Sequence, residues 1–199
     1  MLKKGWRVIS LNDNYCNPQN WYLLRNDVDP TGELQWLVNW LLHAEQNNER
    51  VHILAHIPSG GGCLDQWSWN YYNIMYRFRK TIAAQFTGHT HDLYYTVYYD
   101  NVNYTTPSGI MYCGPSLTPY THENPAYRLL TVDSSSMEVL DYSIEYVDID
   151  SSNAMGEIQI KKLYTAKTDF GMNDLSPMSW HNLTMRMKTD DKLFTNFYK

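Results

Sequence analysis

Ala83-Ala84-Gln85-Phe86-Thr87-Gly88-His89-Thr90-His91 is the stretch on which the fold turns. A short apolar run of strand length ends at a glycine, and two histidines one residue apart follow it. The same grammar occurs upstream, where Val51-His52-Ile53-Leu54-Ala55 reads as a buried strand that delivers His56 just past its carboxyl end. In open α/β sheets, ligand sites gather in the loops beyond the carboxyl ends of the strands. Both histidine segments fall there, and that placement says more than the histidines alone.

Upstream, Trp6 to Leu11 reads as a strand. Asp29-Pro30 supplies an N-cap and first-turn pair for a helix whose apolar stripe is Leu34, Leu37, Val38, Leu41 and Leu42. A glycine-rich turn, Ser59-Gly60-Gly61-Gly62, leads into an aromatic helix or loop from Gln66 to about Arg79. Further strands are expected over Leu93–Tyr99, Gly109–Cys113, Tyr127–Val132 and Val139–Tyr146, separated by turn residues such as Asp100-Asn101 and Pro107-Ser108-Gly109. After Asp150 the pattern turns helical, over Ile158–Ala166 and again around Trp180–Met187. No internal repeat is present. The order implies a layered α/β sheet domain followed by a helical tail.

Bulk properties narrow the function classes. With 199 residues, 43% hydrophobic and 19% charged, the chain is globular in balance. A net charge of -5, with no long Lys/Arg cluster, argues against nucleic acid as the main partner. No apolar run has the length of a membrane span. The amino terminus carries Lys3, Lys4 and Arg7 with no apolar stretch behind them, so no export signal is expected in the chain as it stands. Three cysteines leave one thiol unpaired or paired elsewhere. Asn103-Tyr104-Thr105 and Asn182-Leu183-Thr184 fit the glycosylation acceptor pattern, a short pattern that also arises by chance.

Neutral imidazoles are common zinc ligands, and two in a His-x-His turn after a glycine can face one cavity. Taken alone, a His-x-His such as His89 and His91 is more often unliganded, and His56 before Ile57-Pro58 is more often structural. Ala55-His56-Ile57-Pro58 and Gly88-His89-Thr90-His91, however, resemble the last two metal-binding segments of the calcineurin-like metallophosphoesterases. Ser10-Leu11-Asn12, Trp67-Ser68-Trp69-Asn70-Tyr71-Tyr72, Gly114-Pro115-Ser116, Asn124-Pro125 and Trp180-His181-Asn182-Leu183 extend the resemblance to the acid sphingomyelinase branch over nearly the whole chain.

That resemblance implies the carboxyl-terminal half of a layered metallophosphoesterase β-sandwich flanked by helices. Residues 1–150 would form a partial metallophosphoesterase domain, and residues 151–199 a carboxyl-terminal helical subdomain. It implies a phosphodiesterase site of two zinc ions, with His56 and His89 on one metal and His91 on the other. The implied substrate is sphingomyelin, cleaved to ceramide and phosphocholine; a nucleotide diester, or no substrate in a non-catalytic glycoprotein, are the alternatives. The family completes its site with an Asp-x-His, a Gly-Asp and a Gly-Asn-His segment, and assigns leaving-group protonation to histidines upstream. None of these patterns occurs here. The expectation is therefore of a fragment inactive alone, lacking the amino-terminal half of its own domain. The saposin-like domain through which the family meets lipid membranes is likewise not expected within these residues.

Further expectations follow from the same resemblance. It pairs Cys16 with Cys63, leaves Cys113 as a buried free thiol, and implies a lysosomal or secreted setting. Tyr120 becomes a substrate-proximal candidate, with packing as an equal reading. The Trp67–Tyr72 cluster borders a lipid-facing groove or packs on the sheet. His181, His43, His52 and His122 default to surface or core histidines.

Overall fold

The computed structural model describes residues 3–26 and 28–198, apart from the side chain of Thr121; Met1 and Leu2 of the basic amino-terminal stretch lie outside the described residues. Three parallel strands come first: β1 (Trp6–Ser10), β2 (Arg50–Leu54) and β3 (Ile82–Thr87). A hairpin follows, β4 (Tyr94–Tyr99) and β5 (Pro107–Cys113). The sheet order is β1-β2-β3-β5-β4, with β5 parallel to β3 and β4 antiparallel at the edge.

Two helices cover one face of this sheet. Helix α1 (Glu33–Gln46) buries Leu34, Leu37, Leu41 and Ala44, and α2 (Asp65–Arg77) buries Trp67, Tyr71 and Met75. They close a core with Ile9, Val51 and Ile53. The expected Asp29-Pro30 start of α1 is displaced. The N-cap is Gly32, in the left-handed region at φ 70°, and the helix begins at Glu33. Asp29 still caps it from outside, its two carboxylate oxygens accepting the Leu34 and Gln35 N–H groups at 3.1 Å each. One carboxylate thus satisfies two of the first-turn donors that a helix leaves open.

On β5 the side chains alternate: Met111 joins the helix-side core, while Ile110 and Tyr112 enter a second core on the opposite face. There the antiparallel sheet β6-β7-β8 packs, formed by Ala126–Val132, Val139–Val147 and Ile160–Thr165. Two layers of sheet flanked by helices therefore meet the layered α/β expectation. The helix expected over Ile158–Ala166 is instead strand β8. Its apolar residues fit either period in so short a window, and pairing decides: Tyr164 faces Ile144 and Lys162 faces Glu145 on β7. The helix α4 (Ala166–Phe170) begins directly after it.

This bears on the division at residue 150. Besides α3 (Ile149–Met155), α4, α5 (Pro177–Met187) and α6 (Asp191–Phe197), residues 151–199 contribute a strand hydrogen-bonded to β7. Trp180 of α5 is fully buried, donates its indole N–H to the Tyr112 hydroxyl at 3.2 Å, and stacks on Tyr142. The tail is only partly helical, and it shares the second core with the sheets.

Candidate metal centre

Parallel pairing of β2 with β3 sends both chains out of the sheet at the same end. The Ala55 N–H donates to the Phe86 carbonyl at 3.0 Å, and one step further the Gly88 N–H donates to the His56 carbonyl at 3.0 Å. His56 and His89 are thereby brought edge to face, with ring centroids 5.1 Å apart. His89 Nδ1 lies 3.3 Å from His56 Nε2. Both residues are exposed, so an ion or a substrate has access to them.

The His89-Thr90-His91 turn is backbone-strained. His89 has φ 73° and His91 φ 67°, a region that non-glycine residues enter rarely and at a cost of about 1–2 kcal/mol each. Such outliers persist only where the surroundings over-determine them. Here the support comes from below: the Cys113 thiol at the end of β5 donates to the Gly88 carbonyl at 3.1 Å and lies 3.4 Å from Thr90 Oγ1. Tyr94 contacts both Cys113 and Thr90; burial first, then the neighbouring thiol, pushes its phenol well up, so it stays protonated.

The loop after His56 is held from the other side. The Cys16–Cys63 disulfide expected from the resemblance is present, with Cα atoms 4.9 Å apart, and both cysteines are buried. Gly62 is required in this loop, because a Cβ there would meet Ile57 Cγ2 at 2.6 Å and the Pro58 carbonyl at 2.9 Å. Asp13, with no exposed surface, accepts the His56 and Ile57 N–H groups at 3.0 Å each. Burial raises its carboxyl above the usual range, against the pull of those two donors.

Asp13 was not singled out from the sequence. The signal that would have found it is the parallel pairing of β1 with β2, which sets the residues just past one strand beside those just past the other. Asp13, Cys16 and Cys63 also place potential ligand atoms within 4.8 Å of one another, but the two sulfurs are bonded to each other and unavailable to an ion. The three histidines do not form a comparable set of three among the described residues.

His91, half-buried, faces the Tyr120 ring edge-on at 6.2 Å, so the structure brings that candidate to the rim of the centre. Cys113 is the buried free thiol expected. Trp67 lies in the core, stacked on Tyr71, whereas Trp69 is exposed. His52, without a nameable partner in the sequence, is buried with a ring nitrogen 2.6 Å from the Met137 carbonyl. His181 meets the Tyr99 hydroxyl at 2.8 Å, far along β4 from the histidine turn. Asn103, in the β4–β5 turn, and Asn182, on α5, are both exposed.

A layered α/β chain whose adjacent parallel strands carry histidines past their carboxyl ends defines the class: a sheet-end site suited to a cation or an anionic ligand. Comparison with known proteins narrows it. No family model matches the chain. Human sphingomyelin phosphodiesterase is 43% identical over 98% of the chain, which spans 31% of that protein. Sphingomyelin phosphodiesterase 1 of Caenorhabditis elegans is 37% identical over 98% of the chain and 35% of its own length. Rat cyclic GMP-AMP phosphodiesterase SMPDL3A is 31% identical over 96% of the chain and 46% of its own length. Among solved structures, a zebrafish dimetal phosphatase shares 17% identity at a TM-score of 0.36, over 58% of this chain and 34% of that one. The chain is homologous to the sphingomyelin phosphodiesterases, and it spans about a third of their length.

Proposed function

We propose that the chain carries the three-histidine part of a zinc phosphodiesterase site acting on the phosphodiester of sphingomyelin. The observation that carries this reading is the 3.3 Å separation of His56 Nε2 and His89 Nδ1. Two nitrogens each ~2.05 Å from one tetrahedral zinc stand about 3.3 Å apart, so the pair fits a shared ion with little rearrangement. His91, turned toward Tyr120, would serve a second ion. Bound zinc would polarise the phosphoryl oxygens and lower the pKa of a bound water. The chain's own residues orient that chemistry: the Cys113 thiol holds the His89-Thr90-His91 turn, and Asp13 and the disulfide hold the His56 loop.

Because the chain has no Asp-x-His, Gly-Asp or Gly-Asn-His segment, its three histidines leave one ion with a single protein ligand and no bridging carboxylate. Weak binding of one zinc and no turnover are the expected behaviour of these 199 residues alone. A lysosomal or secreted setting, with glycans on Asn103 and Asn182, belongs to the same reading and is supported by the disulfide and by the exposure of both asparagines.

Zinc titration followed through the histidine ring resonances tests it. One site is expected, abolished by His56→Ala or His89→Ala. Tight binding of two zinc ions, or diesterase turnover by the chain alone, would overturn the incomplete-site reading. The similarity to the rat nucleotide diesterase supports a second reading, cleavage of nucleotide diesters. Assaying the chain joined to the upstream segments of a relative, with sphingomyelin against a cyclic dinucleotide, separates the two. The higher identity to the sphingomyelin enzymes favours the lipid.

A further inference from the structure

The segment 11–16 touches the His56 loop at its start, middle and end. The Leu11 N–H donates to the Leu54 carbonyl at 2.8 Å where β2 ends. Asp13 takes the N–H groups of His56 and Ile57. At the far side the Cys16–Cys63 bond and the Leu64 N–H to Cys16 carbonyl bond, at 3.0 Å, close the loop. Of these three fastenings only the middle one acts on the histidine itself.

The chemistry of that middle contact is specific. A fully buried carboxylate is a costly residue to place where no cation pairs with it. What it offers in return is two acceptor oxygens for two consecutive N–H donors, which an apolar residue cannot supply. An asparagine can serve only one, because its amide nitrogen would face the second donor. The contact fixes the peptide planes on both sides of the His56 Cα, and hence the direction in which its imidazole leaves the backbone.

We propose that Asp13 is the positioning residue of the centre, holding the His56 backbone so that Nε2 meets His89 Nδ1 at the separation one metal ion needs. This rests on the reading of His56 and His89 as metal ligands. Residues that orient ligands from behind typically change metal affinity by about 10–100-fold when altered. Asp13 acts at the ligand's main chain rather than at its ring, which places it toward the lower part of that range.

The test uses the whole chain and zinc alone as the probe. In Asp13→Asn, zinc affinity read from the His56 and His89 ring resonances is expected to fall about tenfold, with the disulfide intact. The Arg186→Ala variant loses the guanidinium bonded to the Phe170 carbonyl, away from the centre, and serves as a control for lowered stability. Its zinc affinity is expected to stay at the wild-type value. His89→Ala separates the two layers of argument. If His89→Ala binds zinc as the unaltered chain does, the metal reading fails. If His89→Ala loses zinc while Asp13→Asn keeps full affinity, the positioning role fails alone.

A second measurement needs no variant. Hydrogen exchange of the His56 and Ile57 amides in the unaltered chain should be much slower than that of Gly61 and Gly62 in the same loop. Equal rates would overturn the proposal even if Asp13→Asn did not fold.

Discussion

Replacing Cys16 and Cys63 together by alanine removes the one covalent closure of the histidine loop. The bond spans 47 residues. In the chain-entropy description a loop of that size restricts the unfolded state by about 4 kcal/mol at 25 °C. Both sulfurs are buried, so their loss adds packing defects of roughly 1 kcal/mol apiece. With a urea slope of about 2–3 kcal/mol per molar, the midpoint should fall by roughly 2 M. Tryptophan fluorescence is the natural probe, because buried Trp67 donates its indole N–H to Tyr15, the residue beside Cys16. Thiol titration of the denatured, unreduced chain should find only Cys113 free. Three titratable thiols would show that the bond does not form. A single thiol with a midpoint shift below about 0.3 M would show that the loop is closed without help from the bond, refuting its assigned role.

Three further outcomes follow from the same geometry. At position 89, glycine accepts positive φ freely while alanine does not, so His89→Ala should be less stable than His89→Gly by roughly 1 kcal/mol; urea midpoints in the reverse order would show that the left-handed turn is not held in solution. Cys113→Val stays small and apolar but removes the donor to the Gly88 carbonyl, and should cost about 1 kcal/mol while moving the ring resonances of His89 and His91; unmoved resonances would detach the thiol from the turn. Burial lowers the His52 pKa below its ordinary value, with the hydrogen bond to Met137 opposing it. A depressed folded-state pKa contributes stability that is complete above the unfolded value near 6.5 and is lost as pH falls toward the folded value. The melting temperature should therefore drop more between pH 7.5 and pH 5 in the unaltered chain than in His52→Gln, and equal drops would exclude His52 as the titrating group.

Alternation and punctuation made most of the frame legible in the sequence. The runs ending at His56 and at Gly88 are short, apolar and followed by turn residues, and they emerge as β2 and β3 within a residue or two of their expected bounds. Ile158–Ala166 misled because Ile160, Leu163 and Ala166 repeat at helical spacing, while the residue that decides is Tyr164, buried opposite Ile144. No window within the segment contains that partner. The start of α1 failed differently: Asp29 does cap the helix, but from beyond the Gly32 turn, a geometry that residue order alone does not distinguish from an ordinary N-cap. At the centre, the histidines were visible because ligand types announce themselves. Asp13 and the role of Cys113 were not, since each acts through a backbone contact with a segment more than twenty residues away.

Those two silent residues explain how an exposed pair of imidazoles keeps one arrangement. Histidine rings on solvent-facing loops have rotamer freedom and weak mutual attraction, so nothing in His56 and His89 themselves holds them 3.3 Å apart. Parallel pairing of β1, β2 and β3 brings the three exits side by side, but pairing stops at Ser10, Leu54 and Thr87. Beyond those points a few backbone bonds carry the pairing on, such as the Leu11 N–H to the Leu54 carbonyl and the Gly88 N–H to the His56 carbonyl, and they do not reach the imidazoles. Asp13 and the disulfide extend order across the first gap, and Cys113 extends it across the second. Both fixtures are locally unfavourable, one a buried carboxylate and the other a support for two left-handed histidines. Stability alone would replace His89 with glycine, and a buried carboxylate at Asp13 is a costly way to satisfy two N–H donors. Keeping them is reasonable if the direction of the two imidazoles is what the fold has to preserve, and that is the demand a metal ion makes.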